Sequence, residues 1–283
     1  MPIITLPVAA HSDLFRWQLD LFWYGHRQTY GLDAANRAHA ILVNCNHPDE
    51  PRITHMPWDI SLLHSICYSV YDYPPAQTLP YQALRLAVPL NIQLGLMQVL
   101  PQYPDDQMIE LTDCDMVHFR PCPVTDIEYD QLAVSTIYEN WHLFSQTSNR
   151  HVIEPYFENG GRYYNGGFCP IIGRAKTFRR ILPEWIAVHL DILRQDYELN
   201  FHWWAGMFAL QAACEKARVT MMAEDYCYVP GANTIRDSHY TGHYCVDHVF
   251  NKRTYPNIDV EKFPDDPYFN LIKRWLSLDR PPN

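Results

Sequence analysis

Short apolar runs alternate with segments of helical period along this chain, and that alternation restricts it to a layered α/β arrangement. Pro2–Leu6 reads as a first strand. A helix follows, capped by Ser12 or Asp13, with Phe15, Leu19 and Phe22 on one face. Ala40-Ile41-Leu42-Val43 has the continuous apolar character of a strand buried on both faces. Residues 48–80 are rich in Pro, His and Tyr and read as irregular. Leu90–Leu100 forms the next helix, ended by Pro101, and Gln107–Thr112 the next strand. Beyond Pro121, Asp126–Phe144 is expected to hold a helix, and an Asn-Gly-Gly turn at residues 165–167 leads into an apolar run. Ala175–Leu193 and Trp203–Ala217 read as helices, Pro183 being placed to kink or divide the first. Val219–Met222 reads as a strand and Phe269–Leu278 as a terminal helix. The expectation is one domain of 283 residues in two halves, 1–121 and 122–283, built on an open, mixed, mainly parallel sheet flanked by helices.

The formal net charge is −10 and no basic stripe is present, which argues against nucleic acid as a partner. The first residues lack a basic segment followed by a long apolar one, and no stretch approaches the ~18 apolar residues of a membrane span. A soluble, cytoplasmic protein without a transmembrane segment is expected. The eight cysteines form no Cys-x-x-Cys pair, so they suggest buried thiols rather than a zinc or redox motif.

Thr112-Asp113-Cys114-Asp115-Met116 is the segment richest in chemistry. Ligands of open α/β sheets bind beyond the carboxyl ends of strands, and this acidic pair follows a strand directly. If the chain turns at Cys114, both carboxylates can converge on one hard cation, Mg²⁺ or Mn²⁺, of the kind that bridges diphosphate oxygens. The same letters suit a second chemistry. Haloacid-dehalogenase-type phosphatases use Asp-x-Asp after an apolar strand, with the first Asp as nucleophile, but usually near the start of the chain. About a hundred residues precede the pair here.

Several segments in order resemble a known group. Pro89-Leu90-Asn91 leads a helix up to the acidic strand, and Glu110-Leu111-Thr112-Asp113-Cys114-Asp115-Met116-Val117-His118-Phe119-Arg120-Pro121 resembles the strand, D-x-D-M, short run and Pro of GT-A glycosyltransferases. It is similar in particular to the plant peptidyl-serine galactosyltransferases and hydroxyproline arabinosyltransferases. Asn165-Gly166-Gly167-Phe168, the Trp203-Trp204 helix, His239-Tyr240 and His243-Tyr244-Cys245 resemble later elements of that group, so the likeness runs in patches from about residue 85 to 250. One departure stands out. Relatives often carry an acid just after the Trp of the late helix, where this chain reads Ala205-Gly206.

The resemblance implies a GT-A-like, Rossmann-like α/β fold. It also implies a metal-dependent glycosyltransferase that moves a sugar from a nucleotide-diphosphate donor, expected to be UDP-linked, to a hydroxyl of a glycan or glycoconjugate. Residues 1–121 would then hold the nucleotide sugar and 122–283 the acceptor. A late histidine commonly completes the metal site of such enzymes. His243 and His239 are the candidates, and His243 is preferred because Gly242 before it would let the backbone approach the ion. Glu224 and Asp225, after a strand, are the candidates for catalysis. Arg85, Asn91, Asn165, Gly166, Gly167, Lys252 and Arg253 are candidates for binding the donor: the glycine turn through its amides, the cations by clamping the departing diphosphate. Arg120 is a further possible phosphate ligand, and the Trp203-Trp204 pair a floor for an acceptor sugar. The alternatives are a metal-dependent phosphohydrolase using the same acidic pair, and a non-catalytic sugar-binding module suited to the abundant aromatic residues.

Overall fold

The computed structural model describes residues 2–12, 15–31, 33, 37–44, 53, 61–136, 154–157, 167–195, 202–244, 250, 255 and 257–278, with 61–66, 86, 168 and 202–204 described by backbone alone. Its strands are β1 Ile4–Ala10, β2 His39–Val43, β3 Ser61–Cys67, β4 Met108–Asp113, β5 Met116–His118, β6 Gln131–Ser135, β7 Phe168–Arg174, β8 Thr220–Glu224, β9 Cys227–Tyr228 and β10 Thr241–His243. Its α-helices are α1 Arg16–Tyr30, α2 Tyr81–Leu86, α3 Asn91–Val99, α4 Ala175–Gln195, α5 His202–Ala217 and α6 Pro267–Leu276.

Seven strands form one mixed sheet in the order β3-β2-β1-β4-β7-β6-β8. The first four in that order run parallel, as do β6 and β8, and β7 is antiparallel to both its neighbours. The fold is α/β, with a mixed, mainly parallel sheet flanked by helices. Strands from before and after residue 121 share this sheet.

Both faces of the sheet are covered, which is why its inner strands are apolar along most of their length. On one face Ile4, Leu6 and Val8 of β1, Ile109 and Leu111 of β4, and Val134 of β6 pack with α3, α4 and α5. Ala9 and Leu42, from the alternate positions, meet Leu19 of α1 on the other. Beside α1 lies a second sheet, β5-β10-β9. The C-terminal α6, capped by Asp266 and opened by Pro267, docks there through Trp275, whose Nε1 donates to Asp20 Oδ2 at 3.0 Å.

Four expectations change. Residues 61–67, inside the stretch read as irregular, form β3. Within Asp126–Phe144 the described residues form β6 rather than a helix, because Leu132 and Val134 alternate with Ala133 between two strand partners. Helix α1 begins after Phe15 with no side-chain cap, so Ser12 does not serve as one; Asp13 lies outside the described residues. Helix α4 continues through Pro183 undivided.

Candidate metal centre

Strand β1 sends the chain to β2 and β3 on one side, while β4 begins the half that runs to β8 on the other. The gap beyond the carboxyl ends of β1 and β4 is therefore a topological switch point, the general ligand crevice of such sheets. Asp113 is the last residue of β4 and lies opposite Val8 of β1. The chain turns through Cys114-Asp115 and leaves as β5, which pairs antiparallel with β10 so that His243 lies opposite Met116. This pairing carries His243 across 128 residues of sequence to Asp115.

Nε2 of His243 stands 2.9 Å from Oδ1 of Asp115, and the Tyr244 amide donates to the Asp115 carbonyl at 3.3 Å. Asp113, Asp115 and His243 each offer a ligand atom, and the three atoms lie within 4.8 Å of one another. Asp115 and His243 are buried and Asp113 is half-buried. Two carboxylates and an imidazole so close suit a divalent cation such as Mn²⁺ or Mg²⁺, with nitrogen favouring Mn²⁺. Burial, then the charges of Asp113 and Asp115, raise the Cys169 thiol well above its ordinary pKa; burial and Asp115 do the same to the Tyr244 phenol. Both neighbours stay neutral. The wall of the crevice thus keeps the acidic pair in a poorly solvated setting, where an added cation gains most.

The support beneath this group is polar and buried. Glu110, fully buried in β4, accepts hydrogen bonds from Thr5 Oγ1 at 2.8 Å and Tyr240 OH at 2.8 Å, and contacts His118 Nε2 at 2.9 Å. Burial works to raise its carboxyl, but His118 and these hydrogen bonds hold it below its usual value. One side chain therefore joins β1, β4, β5 and the residue before β10. At the turn itself the Cys114 thiol donates to Gln18 Oε1 of α1 at 3.3 Å. Glu110 is visible in the sequence as an acid within an apolar strand. Gln18 carries no comparable signal, and Tyr240 and Tyr244 stand out in the sequence only by their place in the late His-Tyr patches.

The other predicted residues are placed as follows. His239 is not part of the acidic group: its Nδ1 accepts from the Arg236 amide at 3.0 Å and its Nε2 stands 2.9 Å from Asp225 Oδ1. Asp225 Oδ2 accepts from Arg236 at 2.8 Å, so this carboxylate is tied to the loop before β10. Glu224 ends β8 and is exposed. It lies at the same edge of the sheet as Asp113, three strands away, or about 14 Å at ~4.8 Å per strand. Asn91 opens α3 but uses its Oδ1 to accept from the Val70 amide at 2.7 Å, tying the chain after β3 to that helix. Arg85 is exposed in the last turn of α2. Arg120 donates to the carbonyls of Arg236 and His239, so it braces the loop before β10.

Gly167 directly precedes β7. A Cβ there would stand 2.6 Å from Leu210 Cδ2 and 2.9 Å from Met221 Cε, which makes close packing its local requirement. Gly242 has a different reason from the one expected: a Cβ would fall 2.3 Å from the Tyr268 ring. Ala205 is fully buried, and a Cβ on Gly206 would meet His189 at a tight 3.2 Å, so an acid at the first position would be buried and a side chain at the second would crowd His189. Asn165, Gly166, Lys252 and Arg253 lie outside the described residues, as do the side chains of Trp203 and Trp204. Among the described residues no helix is long and apolar enough to cross a membrane. Comparison with protein-family models and with curated proteins finds no match to this chain.

Proposed function

We propose that this chain is a metal-dependent glycosyltransferase of GT-A type that transfers a sugar from a nucleotide diphosphate, UDP in the first instance, to a hydroxyl of a glycan or glycoconjugate. The observation that carries this reading is the meeting of Asp113, Asp115 and His243 at the switch point between β1 and β4. In the proposal these three side chains hold Mn²⁺ or Mg²⁺. When bound, the cation neutralises charge on the leaving diphosphate. The residues following β1, His11 and Ser12, border the same crevice from the nucleotide side. The edge formed by Gly167, Ser135 and Glu224 borders it from the acceptor side. Glu224 is the better of the two candidates for accepting the acceptor's proton, because Asp225 is engaged by Arg236 and His239.

The test is a thermal-shift screen of nucleotide sugars with and without Mn²⁺. A donor at a hundred times its Kd adds about 2.7 kcal/mol to the native state. For a chain of this size that raises Tm by roughly 4–5 °C. The stabilisation should require nucleotide and metal together. Absence of any nucleotide effect, with release of phosphate from simple phosphomonoesters, would replace this reading by a phosphohydrolase.

A further inference from the structure

Each residue of the acidic group has a counterpart three positions along its own segment. Asp113 follows Glu110 by three residues, Asp115 precedes His118 by three, and His243 follows Tyr240 by three. The counterparts meet at one oxygen. Glu110 Oε1 stands 2.9 Å from His118 Nε2 and accepts from the Tyr240 hydroxyl at 2.8 Å. The other oxygen, Oε2, accepts from Thr5 Oγ1 of β1 at 2.8 Å. Glu110, His118 and Tyr240 are all fully buried, and the His118 and Tyr240 rings stack at 5.6 Å.

Glu110 itself cannot reach an ion held by Asp113. At ~3.3 Å per residue the two lie about 10 Å apart along β4, and their odd spacing sets the side chains on opposite faces. Any influence of Glu110 on the metal centre therefore passes through the segments it ties together.

Those segments need a tie. Strands β5, β9 and β10 have three, two and three residues, and so short a ladder holds its own place weakly. Packing fixes it against the helices: Tyr268 of α6 fills the space over Gly242, and a Cβ on Gly25 of α1 would stand 2.7 Å from the His118 carbonyl. The metal ligands, however, come from both sheets. Asp113 ends β4 of the large sheet, and His243 ends β10 of the small one. Their separation depends on a link between the sheets. Glu110 supplies one, because it stands in β4 and its Oε1 engages the last residue of β5 and the residue before β10. Hydrogen bonds to a carboxylate are short and strong, and metal ligands must be held to within about 0.5 Å.

We infer that Glu110 is a positioning residue of the metal centre: through His118 and Tyr240 it sets where β5 and β10 stand relative to β4, and so how closely Asp115 and His243 approach Asp113. The inference rests on the metal-binding reading of that group but not on sugar transfer.

Two hydrogen bonds to the same carboxylate separate positioning from plain stability. Tyr240→Phe keeps the ring and removes the bond that ties β10. Thr5→Val keeps the branched shape and removes the bond from β1, a strand that supplies no ligand. The full chain is titrated with Mn²⁺ by calorimetry, the bound ion is examined by electron paramagnetic resonance, and unfolding is followed in urea. Both variants should lower the urea midpoint. Tyr240→Phe should also weaken Mn²⁺ about tenfold, the lower end of the loss on removing groups that orient metal ligands, and should alter the spectrum of the bound ion. Thr5→Val should leave affinity and spectrum as in the wild type. Wild-type Mn²⁺ affinity in Tyr240→Phe, or equal weakening in the two variants, would overturn the positioning role and leave the metal centre standing. A wild-type chain that binds no Mn²⁺ would instead remove the metal reading, and the positioning role with it.

Discussion

Replacing Gly242 by alanine tests how the third metal ligand is held. Gly242 lies between His243 and Thr241 in β10, opposite Val117 of β5. A Cβ there would be 2.3 Å from Cδ2 and 2.4 Å from Cε2 of Tyr268, whereas carbon atoms pack at about 3.5–4.0 Å. More than an ångström of movement is needed. The Tyr268 ring cannot readily supply it, because it is fully buried and set edge-on to Tyr228 and Phe269 at 5.4 and 4.9 Å. Strand β10 moves instead and carries His243 away from Asp115. Overpacking of this kind costs about 1–3 kcal/mol, or roughly 2–5 °C in Tm at this chain length. Gly242→Ala should therefore melt lower and bind Mn²⁺ more weakly, both acids remaining in place. Calorimetric titration of Mn²⁺ alongside thermal unfolding measures both effects. A second change, Tyr268→Leu, should recover part of each. Wild-type Tm and Mn²⁺ affinity in Gly242→Ala would refute the argument that ring packing fixes β10.

Asp113→Ala and Asp115→Ala should each abolish Mn²⁺-dependent nucleotide binding, measured by calorimetry, with little change in circular dichroism. His243→Ala should weaken Mn²⁺ binding, while His239→Ala should instead loosen Asp225 and Arg236 and leave metal affinity near wild type; the reverse order would exchange their roles. Glu110→Ala removes the partner of buried His118 and orphans the Tyr240 hydroxyl, and should cost about 3–5 kcal/mol in urea unfolding. Stability should also fall on acidification. Burial pushes His26 and His189 down to about 3, so between pH 6.5 and 3 the unfolded chain binds their protons and the folded one does not. Each then contributes up to about 1.4 kcal/mol of lost stability per pH unit, or about 4 kcal/mol for the pair between pH 7 and 5. Equal urea midpoints at pH 7 and pH 5 would contradict this.

Much of this arrangement is written in local pattern. The helical spacing of Phe178, Ile181, Leu182 and Trp185, and the apolar run ending at Asp113, mark α4 and β4 because each buries a continuous face. Strand β3 escapes such reading because serines and a histidine interrupt its apolar residues among Pro- and Tyr-rich neighbours. In β6 the short Leu-Ala-Val core suits helix or strand equally, and only pairing with β7 and β8 decides. Strands β9 and β10 are two and three residues long, too short for any period. Asp113 and Asp115 are legible as a pair because they follow a strand. That His243 rather than His239 joins them depends on register: Gly242 opposite Val117 places His243 beside Asp115, and His239 falls to Asp225. The Gly242 requirement comes from Tyr268, a contact from a distant helix that no local spacing records.

Anomalous diffraction at the manganese edge, from crystals of the full chain grown with MnCl₂ and UDP, tests the central claim most directly. The account predicts one strong peak within coordination distance of a carboxylate oxygen of Asp113, one of Asp115 and Nε2 of His243, with the diphosphate on its open side. UDP bound at the β1–β4 crevice with no manganese at these three residues, or manganese held elsewhere in the chain, would contradict it.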